Sequence, residues 1–499
     1  MSDRVRRWTV ALLLAAGLAV YLSSLPGLSL NTDEVYLPLA ARDGHLLAAT
    51  TVDVHPPTFA LLVGLAVRAG LPEAGWRLFS VLAWLATAFL AYVIGRRLAG
   101  DLAGILGAAL LITSPMGFQL ARLVRSYALA ALLGAAVIAL LLSLMERPDR
   151  RRAVALGVVL ALGCYTFYYH VFLLAAVGLL GVWLYVRGDA AGRSVTGAAL
   201  LAGLLFAPWL PVLWAQAGGL GGGWVQWSAS PERLARRGGQ IFLNAGGLGG
   251  VEPALRVLWP TLAGIAATLL AWGLAAWGAW TLRGSRPARA LLLVTGIVVI
   301  AALAAHLLFG VFIGFHYFVV IAAPLALLAV APFAAWRPRF AAGVLFALIL
   351  GLNVLALPEA ARQGREPLRQ AAQWIDSESA PGDLVLGVAW FAADGYRWYG
   401  QGLETVGIPN DLRPGGESHR AGASLTDECD LPALRRRLAG HRRVALLLSH
   451  ERWRNLDRGV EPTIRVLREA GFVPRSEKAW PTFAAAPTVR AQIWSRVSD

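Results

Sequence analysis

The chain has 499 residues, of which 57% are hydrophobic, a composition that excludes an ordinary soluble globular protein. Its formal net charge of +15 comes almost wholly from arginine, because Lys478 is the only lysine. These arginines stand in short loops between apolar runs, so they indicate orientation in a membrane and not binding of nucleic acid. The two cysteines, Cys164 in an apolar run and Cys429 in a polar region, predict neither a disulfide nor a thiolate metal site.

The apolar runs predict a polytopic helix bundle. The first run follows Arg4, Arg6 and Arg7, as in a signal peptide, but no small-residue cleavage site follows it, so we expect an uncleaved membrane helix. Ten further runs are long enough to cross a bilayer. The predicted spans are residues 8–25, 76–95, 102–118, 126–145, 153–169, 170–187, 194–216, 256–281, 289–313, 316–335 and 339–357.

The arginines orient these eleven spans. With the N-terminus in the cytoplasm, the inner loops hold most of the basic residues, as the positive-inside tendency requires. The extracytoplasmic side then includes the long loops 26–75 and 217–255 and the C-terminal region 360–499. Segment 58–70 is apolar but short and follows a double proline, so we expect it to lie along the interface or to re-enter. The inner basic residues are Arg96, Arg97, Arg147, Arg150, Arg151, Arg152, Arg187, Arg193, Arg283, Arg286, Arg289, Arg337 and Arg339.

The C-terminal region differs in kind from the rest of the chain. Residues 360–499 are rich in charged and turn residues and contain no spanning run. Segments 383–388 and 443–448 are typical of buried strands, whereas 367–377 and 462–470 are typical of helices. We therefore predict a mainly α membrane domain over 1–359, followed by a small extracytoplasmic α/β domain over 360–499.

Titratable side chains stand out in the first predicted outer loop. Asp33 and Glu34 follow the first span directly, and Asp53 and His55 come later, before a rigid Pro56-Pro57 pair. Carboxylates at a membrane boundary are costly and usually functional. In an extended chain Asp33 and Glu34 would point to opposite sides, so only one would reach a substrate. The alternative is a solvated loop whose acids only keep it soluble.

Other polar residues are predicted at the same membrane face. A cluster of acids, arginine, histidines and tyrosines there suits a substrate with a lipid tail and a phosphate head, because arginine binds phosphate in bidentate fashion. A carboxylate would then take the proton from an acceptor hydroxyl. The alternatives are arginines that extend to headgroups and ordinary interfacial aromatic residues. The additional substrate-binding candidates are Arg125, Tyr127, Tyr168, His170, His316 and Tyr317.

These motifs together resemble a known family. The order is Asp-Glu after the first span, Asp-x-His-Pro-Pro in the same loop, Arg-x-Tyr-Ala-Leu at 125–129, Tyr-Thr-x-Tyr at 165–168 and Pro-Trp-Leu-Pro at 208–211. Over residues 5–360 the chain resembles the bacterial members of glycosyltransferase family 39. These are similar to the protein O-mannosyltransferases and to the 4-amino-arabinose transferase that acts on lipid A. It departs from the family at Leu123, where relatives often carry Glu, and at His316, where many carry Arg.

The resemblance implies the GT-C fold, with an active site on the outer face of the membrane. The donor would be a polyprenyl-phosphate-linked monosaccharide, transferred with inversion. Asp33 would act as catalytic base or hold the acceptor, Glu34 would support it, and His55 would contact the phosphate. The resemblance leaves open whether a divalent metal ion is needed, because some relatives use one and others do not.

Other classes of function fit parts of the pattern. A transporter or flippase for a lipid-linked substrate would also be polytopic, but its charged residues would lie near the bilayer midplane in two matching halves. A structural protein would need no cluster around Asp33, and a lipid phosphatase would use water as the acceptor. The sugar and the acceptor, whether glycan, lipid or protein, are open. The C-terminal region could bind the acceptor or serve a purely structural purpose.

Overall fold

The computed structural model describes most of the chain. The described residues are 2–52, 55–219, 231–309, 314–362, 366–388, 390–412, 430–449, 457–483 and 486–497. Predicted site residue Asp53 lies outside them, as do 220–230 of the predicted loop 217–255 and 310–313 of a predicted span.

Helices dominate the described residues. The α-helices are α1 (Asp3–Ser23), α2 (Thr32–Arg42), α3 (Leu46–Val52), α4 (Pro57–Arg68), α5 (Glu73–Ala99), α6 (Asp101–Thr113), α7 (Pro115–Ala121), α8 (Tyr127–Glu146), α9 (Arg150–Thr166), α10 (His170–Val186), α11 (Gly192–Phe206), α12 (Leu210–Gly219), α13 (Pro231–Ala245), α14 (Val251–Leu258), α15 (Ala263–Leu282), α16 (Arg286–Phe309), α17 (Ala322–Ala335), α18 (Arg339–Arg362), α19 (Leu368–Glu378), α20 (Trp390–Tyr399), α21 (Asp430–Leu438) and α22 (Asp457–Glu469). Short 3-10 helices cover Ala207–Trp209, Phe315–Ile321 and Asn410–Leu412.

The predicted count of eleven spans is not confirmed. Among the described residues, eight helices are long and apolar enough to cross a membrane, and a ninth span results if the bent pair α6 and α7 is counted as one. That pair bends by 62° where Pro115, which lacks an amide hydrogen, begins α7. Helices α9 and α10 have 17 residues each. Such helices are about 26 Å long, shorter than the roughly 30 Å hydrocarbon core.

The centre of the bundle is formed by α5, α6, α8 and α17, with α17 buried along nearly its whole length. Small residues let these helices approach closely, as in other membrane bundles. A Cβ added at Gly134 of α8 would lie 2.0 Å from the carbonyl oxygen of Val320. Gly134 therefore sets the contact between α8 and the 3-10 helix that carries His316 and Tyr317.

The segment between the first and second spans is helical and not an irregular loop. Helices α2, α3 and α4 lie between α1 and α5, and α4 is a 12-residue apolar helix too short to span. The expectation of an extended chain at Asp33 and Glu34 was therefore wrong. Both stand in the first turn of α2, where adjacent side chains diverge by about 100°.

The C-terminal region contains one five-stranded sheet. Its strands are β1 (Leu384–Val388), β2 (Glu404–Ile408), β3 (Arg443–Ser449), β4 (Phe472–Phe483) and β5 (Ala486–Arg496). The order is β2-β1-β3-β5-β4, with β1 parallel to β2 and β3, and β5 antiparallel to β3 and β4. The predicted strands at 383–388 and 443–448 and the predicted helices correspond to β1, β3, α19 and α22. Apolar residues of the buried strands pack on both faces of the sheet.

The orientation of the chain stays a prediction, and it can be measured with two engineered cysteines. A Cβ at Gly284, between α15 and α16, or at Gly440, between α21 and β3, would meet no atom within 4 Å. In a background with Cys429 replaced by serine, we expect Gly440→Cys to react with an impermeant maleimide on intact cells. Gly284→Cys should react only after permeabilisation. The reverse pattern would place the C-terminal region in the cytoplasm and overturn the predicted orientation.

Candidate active site

Helix α2 begins with a reciprocal capping box. The Asn31 side chain accepts a hydrogen bond from the Glu34 backbone N–H at 2.9 Å, and Glu34 Oε2 accepts one from the Asn31 N–H at 2.9 Å. Such boxes satisfy backbone donors that a helix N-terminus otherwise leaves without partners. Asp33 lies between the two members of the box, so its backbone position is closely defined.

The Glu34 side chain is buried in the protein interior and paired there. It is 1% exposed and lies 3.6 Å from the guanidinium of Arg77, which is 2% exposed. Its other carboxylate oxygen accepts a hydrogen bond from the Val124 N–H. Burial raises the pKa of Glu34, whereas Arg77 and the two backbone donors lower it. Glu34 therefore joins α2 to α5 and to the segment before α8, whereas the neighbouring Asp33 side chain is exposed.

Arg125 brings the predicted site residues together. Its Nη1 donates to the backbone carbonyl of Asp33 at 2.8 Å, and its Nη2 lies 3.0 Å from His55 Nε2. Because a guanidinium only donates, His55 accepts through Nε2 and carries its proton on Nδ1. The Arg125 guanidinium carbon also lies 6.0 Å from the centroid of the Tyr127 ring.

Aromatic rings form one wall beside Arg125. The Tyr127 ring contacts His316 edge-on at 5.1 Å between centroids and stacks on Tyr317 at 6.3 Å. Tyr317 in turn meets Tyr169 at 5.1 Å and Phe167 at 5.4 Å. Residues that the sequence separates by almost 200 positions therefore share one surface.

The other two predicted substrate-binding residues, Tyr168 and His170, flank Tyr169 of this wall in sequence. Tyr168 donates to Gln216 and accepts from Trp209 Nε1 at 2.9 Å, and Gln216 binds the Thr50 carbonyl of α3 at 3.1 Å. His170 is fully buried against α9, where a Cβ at Gly163 would lie 2.3 Å from its ring.

Sequence reasoning missed a further acid near Asp33. Glu366 lies between the last span and α19, and it accepts hydrogen bonds from the Thr32 backbone N–H at 3.0 Å and the Thr32 hydroxyl at 3.3 Å. The pKa of Glu366 is raised to about 8, chiefly because burial disfavours the charged carboxylate. The nearby carboxylates of Asp33 and Glu34 contribute to this rise, whereas the hydrogen bonds from Thr32 oppose it. The available signal was its position, since an acid just beyond the last span shares a predicted membrane face with Asp33.

A second missed acid, Glu73, joins the helix bundle to the C-terminal region. At the start of α5 it accepts hydrogen bonds from Arg369 at 2.7 Å, Trp398 at 3.1 Å and Tyr399 at 3.0 Å. The Tyr399 hydroxyl also accepts from the Leu30 backbone N–H at 2.7 Å. Helices α19 and α20 therefore dock directly beside the N-terminus of α2.

Arg122, three residues before Arg125, is buried in the protein and does not extend to lipid headgroups. It is 4% exposed, packs its guanidinium carbon 4.7 Å from the Phe118 ring centroid, and donates to the Ala361 carbonyl at 3.4 Å. Arg122 thereby binds the C-terminal end of α18, where a helix dipole favours a positive charge.

The described donor atoms do not make up a divalent metal site. Within the described ranges, no three His, Cys, Asp or Glu side chains come close enough together to hold a metal ion. Near Asp33, Glu34 is paired with Arg77 and Glu366 with Thr32.

Comparison with known families finds a match in part of the chain. Residues 54–214 match the family model described as dolichyl-phosphate-mannose-protein mannosyltransferase. This range includes His55, Arg125 and Tyr168 but neither Asp33 nor His316. No curated protein sequence matches the chain.

Solved structures match over nearly the whole chain. ArnT from Cupriavidus metallidurans in the apo state aligns over 99% of this chain and 99% of its own, with 16% identity and a TM-score of 0.62. The same protein bound to undecaprenyl phosphate aligns over 98% of both chains, with 16% identity and a TM-score of 0.60. The Archaeoglobus fulgidus oligosaccharyltransferase tethered with an acceptor peptide aligns over 95% of this chain and 73% of its own, with 12% identity and a TM-score of 0.53.

These comparisons confirm the fold predicted from the sequence. The protein is a mainly α, multi-pass membrane protein of the GT-C fold, with a small C-terminal α/β unit, and its resemblance to the mannosyltransferase family is confirmed. The catalytic and substrate-binding roles predicted for individual residues stay predictions.

Proposed function

We propose that the protein transfers a monosaccharide from a polyprenyl-phosphate donor to an acceptor hydroxyl at the outer face of the membrane, with inversion. The observation that carries this proposal is the contact of Arg125 with both His55 and the backbone of Asp33. It joins a cationic side chain to the backbone of a residue whose carboxylate is exposed. The ArnT structure with bound undecaprenyl phosphate, which shares the fold, adds support for a lipid phosphate as ligand.

Arg125 is the proposed phosphate-binding residue. A guanidinium offers donors in a planar fork that matches two phosphate oxygens, and it stays charged at any physiological pH. His55 Nδ1 would supply a further donor, because its Nε2 accepts from Arg125 in this geometry. The hydrogen bonds from both groups would strengthen as negative charge grows on the leaving phosphate. They would therefore stabilise the transition state more than the bound donor.

Asp33 is the proposed general base. The acceptor oxygen would form a bond to the anomeric carbon from the side opposite the phosphate, and the bond from that carbon to the phosphate oxygen would break. The phosphate would leave with the electron pair, and the acceptor proton would move to the Asp33 carboxylate. A single displacement of this kind inverts the anomeric configuration.

The other predicted residues have proposed roles around this centre. Tyr127, His316 and Tyr317 would line the sugar or the first isoprene unit, because they form the aromatic wall beside Arg125. Tyr168 would act from the side of α3, to which it is connected through Gln216 and the Thr50 carbonyl. His170 and Glu34, both buried, would support the surrounding helices without contact to substrate.

The function can be tested with purified protein in proteoliposomes. Polyprenyl-phosphate donors with radiolabelled hexoses or pentoses are added together with glycan, lipid and protein fractions of the cell envelope. We expect label to pass from the organic-soluble donor to one of these fractions. Release of free labelled sugar would identify a hydrolase instead, and movement of intact donor across the vesicle membrane would identify a flippase.

Arg125→Lys is expected to weaken donor binding by about tenfold or more, since lysine keeps the charge but loses the fork-like contact with phosphate. The measurement is the Kd for a radiolabelled polyprenyl phosphate. Arg68→Lys, at the exposed end of α4, is the matched control and should bind as the wild type does. Unchanged affinity in Arg125→Lys and Arg125→Ala would reduce Arg125 to a structural contact of α2.

A further inference from the structure

Glu366 connects the C-terminal region to the first residue of the helix that carries Asp33. It is separated from Thr32 by 334 residues, yet it accepts both the backbone N–H and the hydroxyl of Thr32. The carbonyl of Glu366 also accepts from the Ser29 hydroxyl at 2.9 Å. This connection therefore holds the backbone on both sides of the capping residue Asn31.

The contact completes the N-terminus of α2. The first N–H groups of a helix have no partner within the helix and need one from elsewhere. The capping box supplies a partner for Glu34 N–H, and Glu366 supplies one for Thr32 N–H. Glu366 thus fixes the residue immediately before Asp33.

Tyr399 fixes the chain two residues earlier. Its hydroxyl accepts a hydrogen bond from the Leu30 N–H and donates one to the Glu73 carboxylate. This carboxylate also accepts hydrogen bonds from the side chains of Arg369 and Trp398. Glu73 stands at the first position of α5, so the network is anchored in the membrane bundle. Residues 30 and 32 are therefore both held by side chains from the C-terminal region, with Asp33 next in sequence.

We propose that Glu366 and Tyr399 are positioning residues, through which the C-terminal region sets the place of the Asp33 carboxylate. The proposal rests on the catalytic role of Asp33 given above. It assigns the C-terminal region a part in catalysis that requires no contact with the acceptor. An error of about 1 Å in the position of a reacting group can cost about 10²-fold in rate.

The kinetic test compares two substitutions at one position. Glu366→Ala removes the acceptor of the Thr32 N–H, and we expect kcat to fall by about 10-fold to 10²-fold with KM for the donor unchanged. Glu366→Gln keeps a carbonyl oxygen at the same place and should retain most of the wild-type kcat. Tyr399→Phe keeps the ring but loses both hydroxyl bonds, and should behave like Glu366→Ala. Glu359→Ala, an exposed acid on α18 paired with Arg362, is the control and should be unaffected.

A second measurement does not depend on activity. Hydrogen–deuterium exchange of the full-length protein reports the protection of the amides at 30–34. We expect faster exchange there in Glu366→Ala and Tyr399→Phe, and wild-type exchange in Glu366→Gln and Glu359→Ala. Measurements of thermal unfolding and donor binding on the same preparations identify any variant that has simply lost its fold.

The outcomes separate this proposal from the proposed function. Wild-type protein without transferase activity would refute the function, and the exchange data would still test whether Glu366 and Tyr399 hold α2. Active wild-type protein with an unchanged kcat in Glu366→Ala and Tyr399→Phe would overturn the positioning role. So would equal losses in Glu366→Ala and Glu366→Gln with no change in exchange at 30–34.

Discussion

Asp33→Asn is expected to lower kcat by about 10²-fold to 10⁴-fold, the usual effect of removing a general base. Asparagine keeps the shape of the side chain and the backbone carbonyl that binds Arg125, but it cannot take the acceptor proton. Because the Asp33 side chain is exposed, the fold and its thermal stability should not change. Transfer of the labelled sugar is measured in single-turnover experiments. The Kd for polyprenyl phosphate is measured on the same protein and should match the wild-type value.

Asp43→Asn is the matched control for this variant. Asp43 is an exposed carboxylate at the other end of the same helix, where it pairs with Arg42 at 3.1 Å. It should transfer sugar at the wild-type rate. Near-normal transfer by Asp33→Asn, together with loss of transfer in Asp53→Asn or Glu34→Gln, would move the base to another residue.

Arg77→Met is expected to cause the largest loss of stability, about 3–5 kcal/mol, because it leaves the Glu34 carboxylate buried without its counter-charge. It also removes donors to the backbone carbonyls of Ser29 and Arg122, both at 2.9 Å. The measurement is thermal unfolding in detergent. Arg96→Met, on the same helix but in a half-exposed ion pair with Asp101, should change the midpoint little.

The pH dependence of this defect follows from Glu34. Burial already raises its pKa in the folded protein, and loss of Arg77 would raise it further. A raised carboxyl pKa means that the folded state keeps a proton that the unfolded state releases above its ordinary pKa of about 4.3. The stability of Arg77→Met should therefore fall as pH rises from that value through the folded-state pKa. Equal destabilisation at pH 4 and pH 8 would contradict an uncompensated Glu34.

The sequence was sufficient for the bundle and for most of the residues that meet at its end. Within the described residues, most of each predicted span is helical, because a long apolar run in a bilayer has to satisfy its own backbone. The number of membrane crossings was harder to predict from the sequence. Whether Pro115 bends one span or separates two depends on the packing of α6 and α7 against their neighbours, and hydropathy does not record this.

The sequence also did not predict that the Asp33 side chain is exposed whereas that of Glu34 is buried. Adjacent acids at the end of a span have the same composition and the same hydropathy. Their difference comes from Arg77 and the Val124 N–H, which reach Glu34 from distant parts of the chain. Glu366 was missed for the same reason, since its partner Thr32 is brought to it only by the docking of α19 and α20. Local patterns can identify polar residues at one face, but they do not show which of them face each other.

The contacts from Glu366 and Tyr399 have a consequence for biosynthesis. They close separations of 334 and 369 residues, whereas a ribosome delivers the N-terminal helices first. A nascent chain would therefore insert α1 and expose α2 long before the partners of Thr32 and Leu30 have been translated. If these partners position Asp33 as proposed, the transferase becomes competent only when residues 366–399 have been synthesised and docked. Chains truncated before residue 366 would then stay inactive in the membrane even though they contain every residue assigned to the chemistry.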